Sequence, residues 1–253
     1  MAAFPIALLV AIASIGGIAV RATYARETAS WTAQGIGQDW VNLFVAVPAL
    51  VGAAIATLRG RRAAALVLGG ALAYTAYSYV IYAFAVHFNW LFLVYCGALG
   101  LSVFALIDVV AHADPGAPAR APIRTTAGVL FAIAGVFGLL WLAQIVPALV
   151  RGGDPPDLAD VGLVTNPVHV LDLSLVLPAL VVAGVALLRR RHLGYVLAPI
   201  ALGFGVLMAL AIGGMVLVLY LRGLAVDVTP SIAMLVITAA SAATLVVFLR
   251  RVG

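Results

Sequence analysis

The chain has 253 residues, of which 65% are hydrophobic and only 9% are charged. Because soluble domains carry roughly 25% charged residues, this composition and a mean hydropathy of +1.20 exclude an ordinary soluble protein. All fourteen basic residues are arginine, so a retinal Schiff base and any other lysine chemistry are excluded as well. Cys96 is the single cysteine, which rules out an internal disulfide and a CxxC redox pair.

Long apolar runs predict eight transmembrane helices, because a helix needs about 20 apolar residues to cross the hydrocarbon core. In chain order the runs are Ala3–Val20, Val41–Leu58, Ala63–Val86, Trp90–Ala111, Ala127–Val150, Val168–Leu188, Leu193–Leu221 and Thr229–Leu249. No basic segment precedes the first run and no convincing cleavage site follows it. We therefore expect a retained helix there rather than a signal peptide.

Two segments that lie 130 residues apart have nearly the same sequence. Both begin with Pro-Ala-Leu-Val, at Pro48 and at Pro178, and both end in a cluster of arginines. From Pro48 to Arg61, nine of fourteen positions are identical in the second segment. The shared proline and arginines are not explained by a composition rich in Ala, Leu and Val, and they indicate a tandem duplication.

The duplication predicts an all-α integral membrane protein made of two tandem four-helix repeats. The first repeat is expected at residues 1–111 and the second at 127–253, joined by a proline-containing cytoplasmic linker at 112–126. Since each repeat has an even number of helices, both repeats enter the membrane from the same side. They should therefore be parallel repeats related by an axis along the membrane normal.

The arginines are distributed unequally between the two predicted sides of the membrane. With a cytoplasmic N-terminus, ten arginines fall inside and four fall outside. This asymmetry follows the positive-inside rule, so we expect both termini in the cytoplasm. The isoelectric point of about 9.8 then reflects topology, and a nucleic-acid partner is not expected.

The few polar residues gather near the predicted outer face. Asn166, followed by a proline, is typical of a helix N-cap. His169 and Asp172 follow at a spacing of i and i+3, which puts both side chains on one helix face. At the 130-residue offset they correspond to Asp39 and Asn42, so equivalent helices carry two equivalent polar pairs.

A third polar element lies on the helix predicted at 63–86, where Tyr79 and His87 share a stripe and Tyr82 lies beside it. If the halves pack around a common axis, these groups and the two polar pairs should converge at the outer face. The loops Arg21–Gln38 and Arg151–Thr165 would then form a lid over them. The candidate ligand-binding residues are Asp39, Asn42, Tyr79, Tyr82, His87, His169 and Asp172.

Two imidazoles and two carboxylates are suited to a divalent ion such as zinc, manganese or iron, with Asp39, His87, His169 and Asp172 as ligands. No HxxxH or HExxH motif supports this hypothesis. Two other interpretations remain open: an organic ligand, and polar groups that only hydrogen-bond between helices. Haem is not expected, because His112 and His192 fall in predicted loops rather than within spans.

The predicted span centres hold few strongly polar groups apart from Gln144 and scattered serine and threonine residues. Ion-coupled transporters usually keep a buried charge there, so such a transporter is disfavoured. We expect an outer-facing polar pocket that binds a small or lipid-like ligand or a partner membrane subunit. The alternative is a membrane-embedded metalloenzyme, with Asp39 or Asp172 as the base.

Small residues recur at four-residue spacing, which lets neighbouring helix backbones approach closely. They are Gly69 and Ala73 in one predicted helix and Gly205, Ala209 and Gly213 in another. We expect these stripes to form helix–helix contacts.

The stretch from Asn166 to Asp172, continuing through Leu177-Pro178-Ala179 to Leu193-Gly194-Tyr195 and Ala198-Pro199, resembles a pattern in bacterial polytopic membrane proteins without an assigned activity. The resemblance covers about two of the predicted helices. It implies a protein of the bacterial plasma (inner) membrane and names no reaction. The expected partners are the lipid bilayer and either another membrane subunit or a second copy of the chain.

Overall fold

Helices make up the regular structure of residues 2–115, 121–226 and 228–251, which are the residues that the computed structural model describes. A short 3-10 turn at Arg21–Tyr24 follows the first helix. The helices are α1 (Ala3–Ala19), α2 (Ala29–Leu58), α3 (Arg62–Ala85), α4 (Phe92–His112), α5 (Ile123–Arg151), α6 (Pro156–Val161), α7 (Pro167–Leu188), α8 (His192–Leu221) and α9 (Val228–Leu249).

Six of these helices, α2, α3, α4, α5, α7 and α8, are long and apolar enough to cross a membrane. α1 is a shorter apolar helix, and so is the part of α9 at Val236–Leu249. Large apolar side chains such as Phe84 and Leu93 lie about four-fifths exposed on the helix exteriors, at 81% and 80%. A surface of this kind belongs in lipid, so the chain has the character of a polytopic membrane protein.

The helices pack as two bundles. In the first bundle, α1 and α3 each contact both α2 and α4. In the second bundle, α5 and α8 each contact both α7 and α9. The bundles meet where α8 packs against α2 and α3, and each bundle has its own apolar core.

Glycine pairs bring the two bundles into backbone contact. A Cβ atom on Gly37 of α2 would lie only 2.5 Å from the carbonyl oxygen of Gly214 of α8. Nearer the start of α8, a Cβ atom on Gly70 of α3 would lie 3.0 Å from the Cα atom of Gly203. The predicted contact stripes are confirmed in part: a Cβ on Gly69 would lie 2.7 Å from Ile200 and one on Gly205 would lie 3.6 Å from Ser241, whereas one on Gly213 would meet nothing within 4 Å.

The segment expected as the first lid loop, Arg21–Gln38, is instead largely helical, because α2 begins at Ala29. Thr28 caps that helix, and its Oγ1 accepts a hydrogen bond of 3.1 Å from the backbone N–H of Trp31. Glutamines and glycines make these first turns less apolar than a span, which concealed them in the sequence. The second expected lid loop, Arg151–Thr165, contains the short helix α6.

A π-helical turn interrupts α2 at Asn42–Ala46 and α7 at Asp172–Val176, at the same 130-residue offset as the sequence match. Each turn lies just before a proline, Pro48 or Pro178. A proline inside a helix has no N–H to donate and its ring clashes with the carbonyl four residues earlier, and the π-helical turn accommodates both effects here.

The turn after each of these helices also has the same conformation in both bundles. Gly60 and Arg190, again 130 residues apart, adopt left-handed backbones with φ of 77° and 53°. Gly60 does so without a Cβ penalty, whereas Arg190 is the one described non-glycine residue with positive φ. The next helices begin at Arg62 and His192, at the same offset.

Candidate ligand pocket

A cavity of about 140 Å³ lies inside the second bundle, between α5, α7, α8 and the neighbouring α3. Apolar side chains form most of its wall, among them Phe137, Leu180, Phe204, Met208 and Ile237. Its polar side chains lie toward the end at which α7 begins: Gln38, Tyr77, Trp141 and Asp172. The cavity is therefore an apolar chamber with a polar end.

Asp172 is the only carboxyl group among the described residues that line this chamber. Trp141 Nε1 donates to its Oδ2 at 2.8 Å, and the Tyr77 hydroxyl donates to its Oδ1 at 3.1 Å. Its side chain is half-buried. Each carboxyl oxygen thus has one protein donor and keeps further acceptor capacity toward the chamber.

Aromatic rings surround the polar end of the chamber. Tyr77 meets Phe204 edge to face, with ring centroids 5.5 Å apart, and Phe137 lies 5.8 Å from Trp141. Tyr77 comes from the first bundle and the other three rings come from the second. The chamber therefore depends on both bundles for its walls.

A second, larger cavity of about 340 Å³ lies next to the chamber, between α3, α4, α7 and α8. Its walls are almost entirely apolar, and it shares Tyr77, Val176, Leu180 and Phe204 with the chamber. The two spaces are thus neighbours, and the Tyr77–Phe204 ring pair belongs to the wall of both.

His169 lies beside the chamber without being among the residues that line it. Its imidazole packs against Trp141 with centroids 4.7 Å apart, and its Nε2 is buried without a hydrogen-bond partner. Asn166 caps α7 as predicted: its Oδ1 accepts from the backbone N–H groups of Val168 and His169 at 2.9 and 3.4 Å. The cap fixes the first turn of α7, and with it the position of the imidazole.

Asp39 lies in the core of the first bundle, with no exposed surface. The Tyr24 hydroxyl donates to its Oδ2 at 2.6 Å, and the Tyr82 hydroxyl donates to its Oδ1 at 2.8 Å. A Cβ atom on Gly17 would collide with the same carboxyl group, so glycine is needed there. Burial, followed by the charge of Asp39, raises the pKa of Tyr24 well above its ordinary value, which keeps this phenol a donor.

Tyrosines fill the space around Asp39. The rings of Tyr79 and Tyr95 lie 5.3 Å from that of Tyr82, measured between centroids. One turn further along α2, Asn42 accepts a 2.7 Å hydrogen bond from the hydroxyl of Tyr74. Asp39, Asn42, Tyr79 and Tyr82 therefore form a closed polar core in the first bundle.

His87 is occupied in a loop contact. Its backbone N–H donates to Glu27 Oε1 at 2.8 Å, and its Nδ1 lies 3.0 Å from both Glu27 carboxylate oxygens. The Glu27 side chain is buried by this contact, with 2% exposed, whereas that of His87 is 43% exposed. The pair ties the segment before α2 to the one after α3.

The structure does not bring the four expected metal ligands together in one outer pocket. They are Asp39, His87, His169 and Asp172. Asp39 lies in the first bundle, His87 binds Glu27, and only His169 and Asp172 lie near the chamber. The difference arises because each helix turns its polar pair mainly toward its own bundle. Within the described part of the chain, no group of three or more His, Cys, Asp or Glu side chains is placed to hold a metal ion.

Two residues that hold Asp172 escaped the sequence reasoning. Nothing in the sequence marked Trp141 as a partner of Asp172, because it is one aromatic residue in an apolar helix. Its equivalent at the 130-residue offset is Ala11, so the sequence match did not mark it either. Tyr77 belongs to the tyrosine-rich segment of α3, but its spacing gave no reason to separate it from the tyrosines that face the first bundle.

Comparisons with known protein families, with curated proteins and with solved structures found no match. The resemblance of residues 166–199 to bacterial membrane proteins therefore stays a prediction. The function has to be argued from the chamber itself.

Proposed function

We propose that the chain is a bacterial inner-membrane protein with eight transmembrane helices in two tandem repeats and with both termini in the cytoplasm. The six long apolar helices support this proposal, and α1 and α9 supply the remaining two spans. The repeats correspond to the two bundles, and the π-helical turns and left-handed residues at the 130-residue offset support the duplication.

The ends of the bundles support the orientation. Leu66, Ala113 and Val196 pack in one cluster with Leu249, which brings the starts of α3 and α8 to the ends of α4 and α9. The arginine-rich turns at 59–62 and 189–191 lie at these same helix ends. By the positive-inside rule this end faces the cytoplasm, and the polar end of the chamber faces outward.

Cysteine labelling in sealed cells tests this topology. In a Cys96→Ala background, Arg59→Cys and Arg189→Cys should resist a membrane-impermeant thiol reagent, whereas Asp154→Cys should react. Arg59 and Arg189 are exposed at the turns, and Asp154 is exposed in the loop before α6, so burial does not explain a difference. Labelling of position 189 from outside would overturn the orientation.

The chamber's proposed role is to bind a small or lipid-like molecule. The observation that carries this proposal is an apolar cavity of about 140 Å³ with a single carboxyl group at one end. A cavity of about 150 Å³ in a protein core holds a benzene-sized molecule, so the volume suits a ring or a short alkyl segment. The adjoining apolar cavity of about 340 Å³ gives a longer ligand room for a tail.

Filling the chamber tests its role, with benzyl alcohol as the probe. The purified protein in lipid nanodiscs should bind the labelled probe saturably, after subtraction of empty nanodiscs. Gly205→Leu should abolish binding, because Gly205 lines the cavity, a Cβ atom there meets only Ser241 at 3.6 Å, and a larger side chain is expected to occupy cavity space. Gly213→Leu, on the same helix but away from the cavity, is the matched control. Equal binding by all three proteins would contradict the proposal.

A further inference from the structure

We infer that the chamber selects ligands that carry an ammonium group, which it holds between the Asp172 carboxyl and the surrounding aromatic rings. This inference rests on the proposed ligand-binding function and deepens it by naming the chemical class of the ligand.

The polar end of the chamber carries a carboxyl group without a basic side chain in the described lining to balance its charge. None of the described residues that line the chamber is an arginine or a histidine, and the chain has no lysine; the His169 imidazole lies beside the chamber, against Trp141. A carboxyl group in an apolar wall is costly when no lining residue carries a cationic side chain, unless a partner arrives. A ligand ammonium supplies that partner, because it donates hydrogen bonds to the acceptor sites left free on the carboxyl oxygens.

Aromatic side chains form part of the chamber wall next to Asp172. Trp141, Tyr77, Phe137 and Phe204 bring four rings to the chamber, and two of them also position the carboxyl group. Aromatic faces attract cations through their quadrupole, and tryptophan is the strongest of these rings. An anionic ligand would face the same rings and the Asp172 carboxyl unfavourably, so the two features select for the same sign of charge.

Asp172 is accessible to a ligand, whereas Asp39 in the first bundle is not. Asp39 also has two hydrogen-bond donors, but it has no exposed surface and lines none of the cavities described here. Asp172 is half-buried and lies in a cavity wall. Of Asp39 and Asp172, only Asp172 is open to an incoming ligand.

Three probes of one size and different charge test the inference: benzylamine, benzyl alcohol and benzoate, measured at neutral pH in nanodiscs. Benzylamine should bind at least about tenfold more tightly than benzyl alcohol, as expected for a charge-assisted hydrogen bond, and benzoate should bind most weakly. If benzyl alcohol binds and benzylamine is no tighter, the inference fails while the proposed pocket stands. If none of the three binds, the proposed function itself fails.

Variants connect the preference to Asp172. Asp172→Asn should remove the preference for benzylamine over benzyl alcohol, and retained binding of benzyl alcohol shows that the variant is folded. Tyr82→Phe removes a donor to Asp39 in the first bundle and does not line the chamber, so this variant should keep the preference. Gly205→Leu should lose both probes, which ties the binding to the chamber rather than to the bilayer. An undiminished preference in Asp172→Asn would overturn the inference.

Discussion

The two bundles have the same helix order but fill their interiors in opposite ways. In the first bundle α3 supplies Tyr74, Tyr79 and Tyr82 to the interior, and alanines of α1 leave space for them. The positions of α8 at the 130-residue offset are Phe204, Ala209 and Ile212. On α5 the second bundle has Phe137 and Trp141 at the positions where α1 has Ala7 and Ala11.

This exchange of large and small side chains has a functional consequence. The tyrosines close the first bundle around Asp39, whereas the smaller residues of α8 leave a chamber beside Asp172. Two bundles with the same helix order thus differ in their interiors, because the first is closed around its carboxyl group and the second has room for a ligand. The predictions below test that division, from the largest expected effect to the smallest.

Removal of the two carboxyl groups should have very different costs. Asp39→Ala leaves the hydroxyls of Tyr24 and Tyr82 buried without an acceptor, and should lower the free energy of unfolding by about 4 kcal/mol. Asp172→Ala should cost about 1 kcal/mol, because its donors lie at a cavity that water can enter. Denaturant titration in mixed micelles measures both values, and equal losses would contradict the division.

Truncation of a core tyrosine should open the first bundle. Tyr79 has 1% of its surface exposed, so Tyr79→Ala should destabilise the protein by about 3 kcal/mol. Tyr220→Ala is the matched control, since Tyr220 is 72% exposed and its loss should leave the midpoint of thermal unfolding nearly unchanged. A similar shift in both variants would show that the tyrosine cluster is not a stabilising core.

The reverse exchange should close the second bundle. Ala209→Tyr places in the chamber the side chain that the first bundle has at the equivalent position, and it should abolish benzyl alcohol binding. The cost in stability should stay within about 2 kcal/mol, because the new ring enters existing space. Leu210→Tyr, at a partly exposed position that does not line the chamber, should bind the probe normally in the same assay.

The smallest effect is expected for a single hydroxyl. Tyr82→Phe removes one of the two donors to Asp39 and should cost about 1 kcal/mol in the free energy of unfolding. Probe binding should be unaffected, because Tyr82 does not line the chamber. A change in the dissociation constant for benzyl alcohol would show that the two interiors are coupled.

The sequence was sufficient for much of the fold, and particular residues explain why. Prolines and caps act locally, so the N-cap at Asn166 and the ends of the helices at Leu58 and Leu188 could be predicted from neighbouring residues. The start of α2 at Ala29 could not, because its polar first turns are held by packing against α8. A hydropathy pattern carries no information about that contact.

The candidate site was predicted only in part for a similar reason. Asp172 could be selected as a polar residue in an apolar helix, and it does line the chamber. The chamber itself exists because Ala209 and Ile212 are smaller than the tyrosines at the equivalent positions, a difference in volume between helices far apart in sequence. The spacing of residues within one helix cannot reveal such a difference in volume. A comparison of the two halves of the sequence, position by position, could have revealed it.

The glycine contacts between the bundles have a mechanical consequence. Gly214 and Gly203 touch the first bundle at two levels of α8, which are about 16 Å apart along the helix axis. Two points of backbone contact on one rigid rod resist tilting, whereas a single point would act as a pivot. Rocking of one bundle against the other, the motion by which many transporters built of repeats expose a site to each side in turn, is therefore opposed in this protein. A ligand would enter and leave by local side-chain movement, while the two bundles keep their relative positions.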